Sequence, residues 1–215
     1  VNTAAAVAAL AALLHLFAKE YLGPLDPLAK MTPVLVLAVL VLRAPPSPAR
    51  LLAGVGLLLG AVADAVIEFS FLGGLAVFLL AHVLYVAAFV RFEPRLRLAR
   101  LGPVALWAAL VLPVLVSQAG ALALPVLAYG LVIFTMIWRA AAATESFGWN
   151  AGTLGLAGAL LFGLSDTLLG YSRFAPQGQT GALTAPPASN FLIMGTYWGG
   201  QTLIAISFLK RYQRY

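Results

Sequence analysis

Two carboxylates stand where this chain can least accommodate charge. Asp64 lies in the stretch Gly56-LLLGAVAD-Ala65-VIEF, and Asp166 lies in Gly158-ALLFGLSD-Thr167-LLGY, both inside runs otherwise suited to hydrocarbon. An ionisable side chain within a membrane span is expensive unless paired or hydrated, so such residues are functional by default. Two carboxyl groups that meet away from water can divide acid–base labour. One keeps its proton as an acid, and the other stays ionised to orient water or stabilise a cation. Glycosidases use this division around an oxocarbenium-like transition state. The structural alternative is a buried ion-pair staple, for which Lys30 is the available partner of Asp64.

Other chemistries are poorly served. The chain has no cysteine, which removes disulfides, thiolate catalysis and Cys-ligated metals. It has two histidines and no HExxH pattern, a poor metal set, and no GxSxG elbow. No metal and no cofactor is expected, since general acid–base hydrolysis needs none. The formal charge of +6 is spread between apolar segments rather than gathered on one face, so nucleic acid is not an expected partner.

The elements that must position these carboxylates follow from composition. The chain has 215 residues, 62% hydrophobic and 9% charged, against about 25% charged in a soluble domain. It reads as one polytopic membrane domain over 1–215, all-α, with no alternating strands of the β-barrel kind. Apolar runs set against Pro, Gly and charge predict eight transmembrane helices, at 3–18, 28–43, 50–69, 71–90, 100–117, 121–139, 151–170 and 189–209. The first run resembles a signal peptide in length but lacks a basic n-region, so it is counted as a helix.

Charge orients these helices. One side carries Arg43, Arg50, Arg91, Arg95, Arg97, Arg100, Arg139, Lys210, Arg211 and Arg214, and the other only Lys19, Lys30 and Arg173. This bias places both termini in the cytoplasm, in a membrane expected to be a bacterial inner membrane. Depth along the helices then puts most polar groups in the non-cytoplasmic half. Asp64 and Asp166 lie about two turns or less below that surface, and Glu68 is one turn beyond Asp64 on the same face. His15, Lys19 and Lys30 approach the same side, His82 and Tyr129 sit near mid-span, and Asn190, Tyr197 and Gln201 descend from it. Several have plain readings: Lys19, Lys30 and Glu68 as snorkelling side chains, the tyrosines as packing or belt residues, and Asn190 and Gln201 as interhelical glue.

An internal echo joins the two aspartates. Gly56-x-Leu58-Leu59-x4-Asp64 superposes on Gly158-x-Leu160-Leu161-x4-Asp166 at an offset of 102 residues, and Ser70 falls on Ser172. In the helix after each, Ala81-His82 and Phe89 align with Gly200-Gln201 and Phe208. The pattern suggests a four-plus-four parallel repeat, with a Gly/Pro-bearing insert around 175–189 in the second half. Glu68 has no counterpart, because Gly170 stands at its place.

The Gly/Leu helix ending in Asp64, the run Phe78-LLAHVLY-Val86, the run Gly158-ALLFGLSDTLLGYSRF and the last helix with Thr196-Tyr197 and Gln201 together resemble the YhhN-like family. The resemblance spans nearly the whole chain and includes Lys30 ahead of Pro33. Two departures are the long insert before Asn190 and the tract Tyr197-Trp198-Gly199-Gly200-Gln201. Characterised members are lysoplasmalogenases, so the resemblance implies a lysophospholipid substrate held among membrane lipids. Its vinyl ether bond would be cleaved to a fatty aldehyde and glycerophospho-ethanolamine or -choline. On that reading Asp64 and Asp166 are catalytic. Glu68, His82, Tyr129, Asn190, Tyr197 and Gln201 support them or the attacking water, and Lys30 and Arg173 face the phosphate. A proton-coupled transporter or scramblase using the paired aspartates is the alternative.

Overall fold

The computed structural model describes residues 2–174 and 187–210. Most of the insert expected at 175–189, with Arg211 and Arg214, lies outside the described residues. Among the described residues every regular element is helical: α1 (Asn2–Leu22), α2 (Asp26–Arg43), α3 (Pro48–Phe69), α4 (Phe71–Phe92), α5 (Leu101–Gln118), α6 (Ala123–Phe174) and α7 (Ala188–Lys210). The boundaries have local causes. Ser47 caps α3 by accepting the Arg50 N–H at 3.2 Å, ahead of Pro48 in the first turn. Ser70 ends α3 and also caps α4, its hydroxyl accepting the Gly73 N–H at 3.1 Å, so a single residue turns the chain.

Seven helical runs among the described residues are long and apolar enough to cross a membrane, and the chain is an integral membrane protein. Large apolar side chains face outward, with Leu10, Leu13, Phe17, Leu106 and Leu110 each more than half exposed, as suits a lipid-facing surface. The count differs from the eight expected because 3–18 and 28–43 merge into one run, Thr3–Arg43. The link between them, Gly23–Leu25, is itself a short 3-10 turn and leaves no helical break. Gly23 has φ +51° there, a left-handed conformation that only glycine adopts without cost, and α1 packs back against α2.

The segments expected at 121–139 and 151–170 belong to one element, α6, of 52 residues. That element doubles back. Tyr129 touches Asp166 at 2.8 Å, whereas a straight helix would hold residues so spaced about 55 Å apart. Its two limbs fall within the spans Gly120–Ser146 and Asn150–Phe174.

The core rests on close helix pairs. α3 lies against α4, the second limb of α6 lies against α7, and α2 and α7 cover α3. Missing side chains permit these approaches. A Cβ on Gly56 would stand 2.8 Å from the Tyr85 ring and 3.3 Å from the Ala81 carbonyl; one on Gly158 would stand 2.7 Å from the Gly200 carbonyl and 2.8 Å from Ile204. The second contact involves backbone, which cannot yield.

The α4–α5 connection is strapped from several sides. Glu93, 3% exposed, accepts from Ser146 Oγ at 2.7 Å, from Arg97 Nη2 at 3.0 Å and from the Arg95 N–H at 3.0 Å. Arg139 donates to the carbonyls of Glu93, Arg95 and Leu96. Arg97 is held at φ 50°, a left-handed conformation rare outside glycine. The Ser146 hydroxyl first, then the Arg97 guanidinium and the Arg95 N–H, hold the Glu93 carboxyl down at about 2 against an ordinary 4.5, while burial acts the other way. A lowered carboxyl contributes stability that is complete above about 4.5 and is lost as pH falls toward 2. Glu93→Gln is therefore expected to lower the melting temperature in detergent at pH 7. It should also flatten the loss of melting temperature that the parent protein shows between pH 5 and pH 3. An unchanged acid slope in the variant would contradict this account.

Candidate active site

Asp64 is 2% exposed on α3, and α7 crosses close beside it. Gly60, one turn earlier, admits that crossing: a Cβ there would stand 2.9 Å from Gln201 Nε2. Tyr197 Oη donates to Asp64 Oδ2 at 2.8 Å. Gln201 Nε2 donates to Tyr197 Oη at 3.4 Å, and Tyr85 Oη donates to Gln201 Oε1 at 2.7 Å. Every donor in this chain points toward the carboxyl, so each bond polarises the next.

Asp166 has its own partners. Tyr129 Oη donates to Asp166 Oδ2 at 2.8 Å, joining the two limbs of α6. His82 Nε2, on α4, faces the same oxygen at 3.7 Å, while His82 Nδ1 lies 2.6 Å from the Phe78 carbonyl one turn back. Aromatic rings unite the two branches. Phe162 has its centroid 4.6 Å from His82 and 5.2 Å from Tyr197, and Phe78 lies 5.8 Å from Tyr197. The Asp64 and Asp166 branches thus meet through Phe162, which packs on both Tyr197 and His82.

Lys30 is not the partner of Asp64. It donates to Glu68 Oε1 at 2.5 Å, forming a half-buried pair on the outer side of Asp64. A second buried contact lies nearby: His15 Nδ1 meets Asp26 Oδ1 at 2.8 Å, with the Trp198 ring edge-on to His15 at 5.8 Å. Asn190 stands apart, in a wide recess of mixed lining with Lys19, Glu20, Ser172 and Ser189 between α1, α6 and α7. Among the described residues no group of three His, Asp or Glu side chains gathers in a metal-holding arrangement.

A narrow apolar groove of about 50 Å³ runs to Asp166. Leu75 of α4, Leu112 and Leu115 of α5 and Ile133 and Leu169 of α6 form its walls, with Tyr129 and Asp166 as the polar lining. Gly130, Gly163 and Gly170 shape it: added Cβ atoms would stand 2.2 Å from Leu112, 2.6 Å from Ile137 and 2.8 Å from Leu115. The absence of a carboxylate at position 170 thus opens room for the wall rather than weakening the site. At one end stand Phe71 and Phe174, and the exposed Arg173 guanidinium lies 5.1 Å over the Phe71 ring.

Sequence reasoning missed Tyr85 and Asp26. Tyr85 carried a usable signal, being three residues beyond His82 and so on the same helix face. Asp26 was masked by its setting, Gly23-Pro24-Leu25-Asp26-Pro27, which reads as turn punctuation.

Fold and site together define an integral membrane protein, helical throughout its described regular elements, with a buried and a part-buried carboxyl, each bonded to a tyrosine and the second at an apolar groove. Comparison with known proteins gives this class a family. The chain belongs to the YhhN family, whose sequence model matches residues 25–208. It is 37% identical over 189 residues to human lysoplasmalogenase TMEM86B, covering 85% of this chain and 75% of that protein. It is 33% identical over 190 residues to the rat TMEM86B, covering 85% and 72%. Human lysoplasmalogenase TMEM86A matches at 32% over 183 residues, covering 77% and 68%. No solved structure matches the chain.

Tyr197→Phe removes the one donor among the described residues that reaches Asp64 Oδ2. It should destabilise the protein by about 1–3 kcal/mol, the cost of a buried acceptor left without a partner. Thermal melting in detergent measures this, and an unchanged melting temperature would show that the Tyr197–Asp64 bond contributes nothing net.

Proposed function

We propose that this protein is a lysoplasmalogenase, hydrolysing the vinyl ether of a lysophospholipid to a fatty aldehyde and a glycerophospho-alcohol. The observation that carries the reading is the placement of Asp166 and Tyr129 in the lining of an apolar groove, with Asp64 in the same cluster. The relatives named as lysoplasmalogenases support it. The substrate has one hydrocarbon chain, which the groove takes, and Arg173 beside Phe71 offers a cation to the phosphate. Lys30, tied to Glu68, is a second cation on the same side of the cluster.

Cleavage begins with protonation of the vinyl β-carbon, which leaves an oxocarbenium ion. Water adds to the cation, and the hemiacetal collapses to aldehyde and alcohol. One of the two aspartates donates the proton. The other stabilises the cation and positions water.

Topology belongs to the same proposal. Thr3–Arg43 enters as a hairpin of two spans, since α1 packs back on α2 and His15 meets Asp26 beside the turn. That makes eight spans, with both termini in the cytoplasm, the site in the opposite half of the bilayer, and a bacterial inner membrane as the setting. A four-plus-four repeat is supported by matched contacts. Gly56 meets Ala81 and Tyr85 as Gly158 meets Gly200 and Ile204, and Gly60 meets Gln201 as Phe162 meets His82. Offsets of 102 and 119 residues relate these pairs throughout.

Purified protein in detergent, with no gradient, should release aldehyde from a lysoplasmalogen. Asp64→Asn and Asp166→Asn should each cut that release by on the order of 10²–10⁴-fold while eluting like the parent. Absence of aldehyde from the parent protein would favour a transporter or scramblase, and near-normal turnover by either variant would sink the two-carboxyl mechanism.

A further inference from the structure

His82 is buried completely, yet one of its two ring nitrogens has no hydrogen-bond partner. The other is fixed. Nδ1 lies 2.6 Å from the Phe78 carbonyl, and a carbonyl only accepts, so Nδ1 carries the hydrogen. Nε2 of the neutral ring is then a bare lone pair, aimed at Asp166 Oδ2 across 3.7 Å. Phe162, tilted against the imidazole at 4.6 Å, and Tyr129, edge-on at 5.4 Å, hold the ring in place. His15 Nε2 is also without a partner; what sets His82 apart is that its bare nitrogen faces Asp166, a lining residue of the groove.

The two aspartates are also unequal. Asp166 lines the apolar groove and has 11% of its side chain exposed, whereas Asp64 is bonded to Tyr197 and, like the buried His82 that faces Asp166, is not among the groove's lining residues. Asp166 Oδ2 is occupied by Tyr129 and faced by His82, while Oδ1 takes no hydrogen bond from any described residue.

We infer that Asp166 and His82 form the acid–base couple of the hydrolysis, Asp166 as proton donor to carbon and His82 Nε2 as the base that deprotonates the attacking water. This rests on the vinyl ether reading above and assigns its roles. The π electrons of the vinyl group take the Asp166 proton to form the new C–H bond, and an ether oxygen lone pair closes the oxocarbenium C=O. Asp166 is left as carboxylate. Water oxygen bonds to the cationic carbon and passes one proton to His82 Nε2. In collapse, the imidazolium returns that proton to the departing glycerol oxygen as the C–O bond breaks. The remaining hemiacetal O–H proton goes to Asp166. One water is consumed, both groups are restored, and Asp64 remains as the carboxyl that steadies the cation.

The two steps are separable by isotope. In D2O, an enzyme that protonates carbon but cannot deliver water returns substrate with deuterium at the vinyl β-position. The variants are His82→Asn, whose amide can still donate to the Phe78 carbonyl, and His82→Gln, whose longer amide replaces Nε2. Each is assayed in detergent for aldehyde release and for deuterium in recovered lysoplasmalogen, beside Asp166→Asn. We expect aldehyde release to fall by on the order of 10²-fold or more in whichever histidine variant elutes as the parent does. Deuterium should still appear at the β-carbon there, and neither product should appear with Asp166→Asn. Aldehyde release within threefold of the parent, or loss of exchange together with turnover in a folded histidine variant, would overturn the assignment. Failure of the parent protein itself to release aldehyde would instead overturn the lysoplasmalogenase reading.

Discussion

Tyr197 lends its hydroxyl hydrogen to Asp64 across the α3–α7 contact, and Tyr129 does the same for Asp166 across the fold in α6. A carboxyl among apolar helices must be met by a donor, because no bulk water is there to meet it. Tyrosine is well suited to the task, since its ring is apolar packing and only its tip is polar. Once these two bonds are required, much of the bundle is constrained. α7 must cross α3 at Gly60, α6 must double back so that residue 129 reaches residue 166, and α4 must present Tyr85 and His82 on the inner face.

The crossing of halves gives this constraint its form. Asp64 is served by the last helix of the chain, and Asp166 is faced by α4, the helix that follows Asp64. Asp64 is therefore completed by the far end of the chain, whereas Asp166 takes its hydrogen bond from Tyr129 of its own helix and is only faced by His82. Phe89 and Phe208, at matching positions in the sequence echo, have ring centroids 5.4 Å apart. The chemistry then breaks the likeness. Where one half has Gln201, which satisfies both ends of its amide, the other has His82 with one nitrogen bare.

Much of this was legible in the sequence because hydrocarbon punishes exceptions so severely. Asp64, Asp166, Tyr197, Gln201, Tyr129 and His82 stood out as polar groups in apolar runs, and the structure brings all six into one cluster. What could not be read was pairing. Lys30 is as close in sequence pattern to Asp64 as to Glu68, and only the lateral position of α2 decides that it bonds Glu68. Asp26 was hidden by the prolines around it, and its tie to His15 depends on α1 folding back at Gly23. At that same place seven runs stand where eight were expected, since a 3-10 turn joins α1 and α2 into one helical run. The groove was unreadable as well, being made of what Gly130, Gly163 and Gly170 lack rather than of any side chain that marks it.

α5 forms one wall of that groove, and among the long helices it packs chiefly on α6. The site is thus flanked by a helix at the rim of the bundle, next to the lipid. A molecule reaching Asp166 past this helix would come from the leaflet. For such a protein the concentration that governs occupancy is a two-dimensional one, the mole fraction of substrate among its neighbouring lipids. Diluting the membrane with inert lipid at constant bulk amounts slows the encounter, whereas adding more buffer does not.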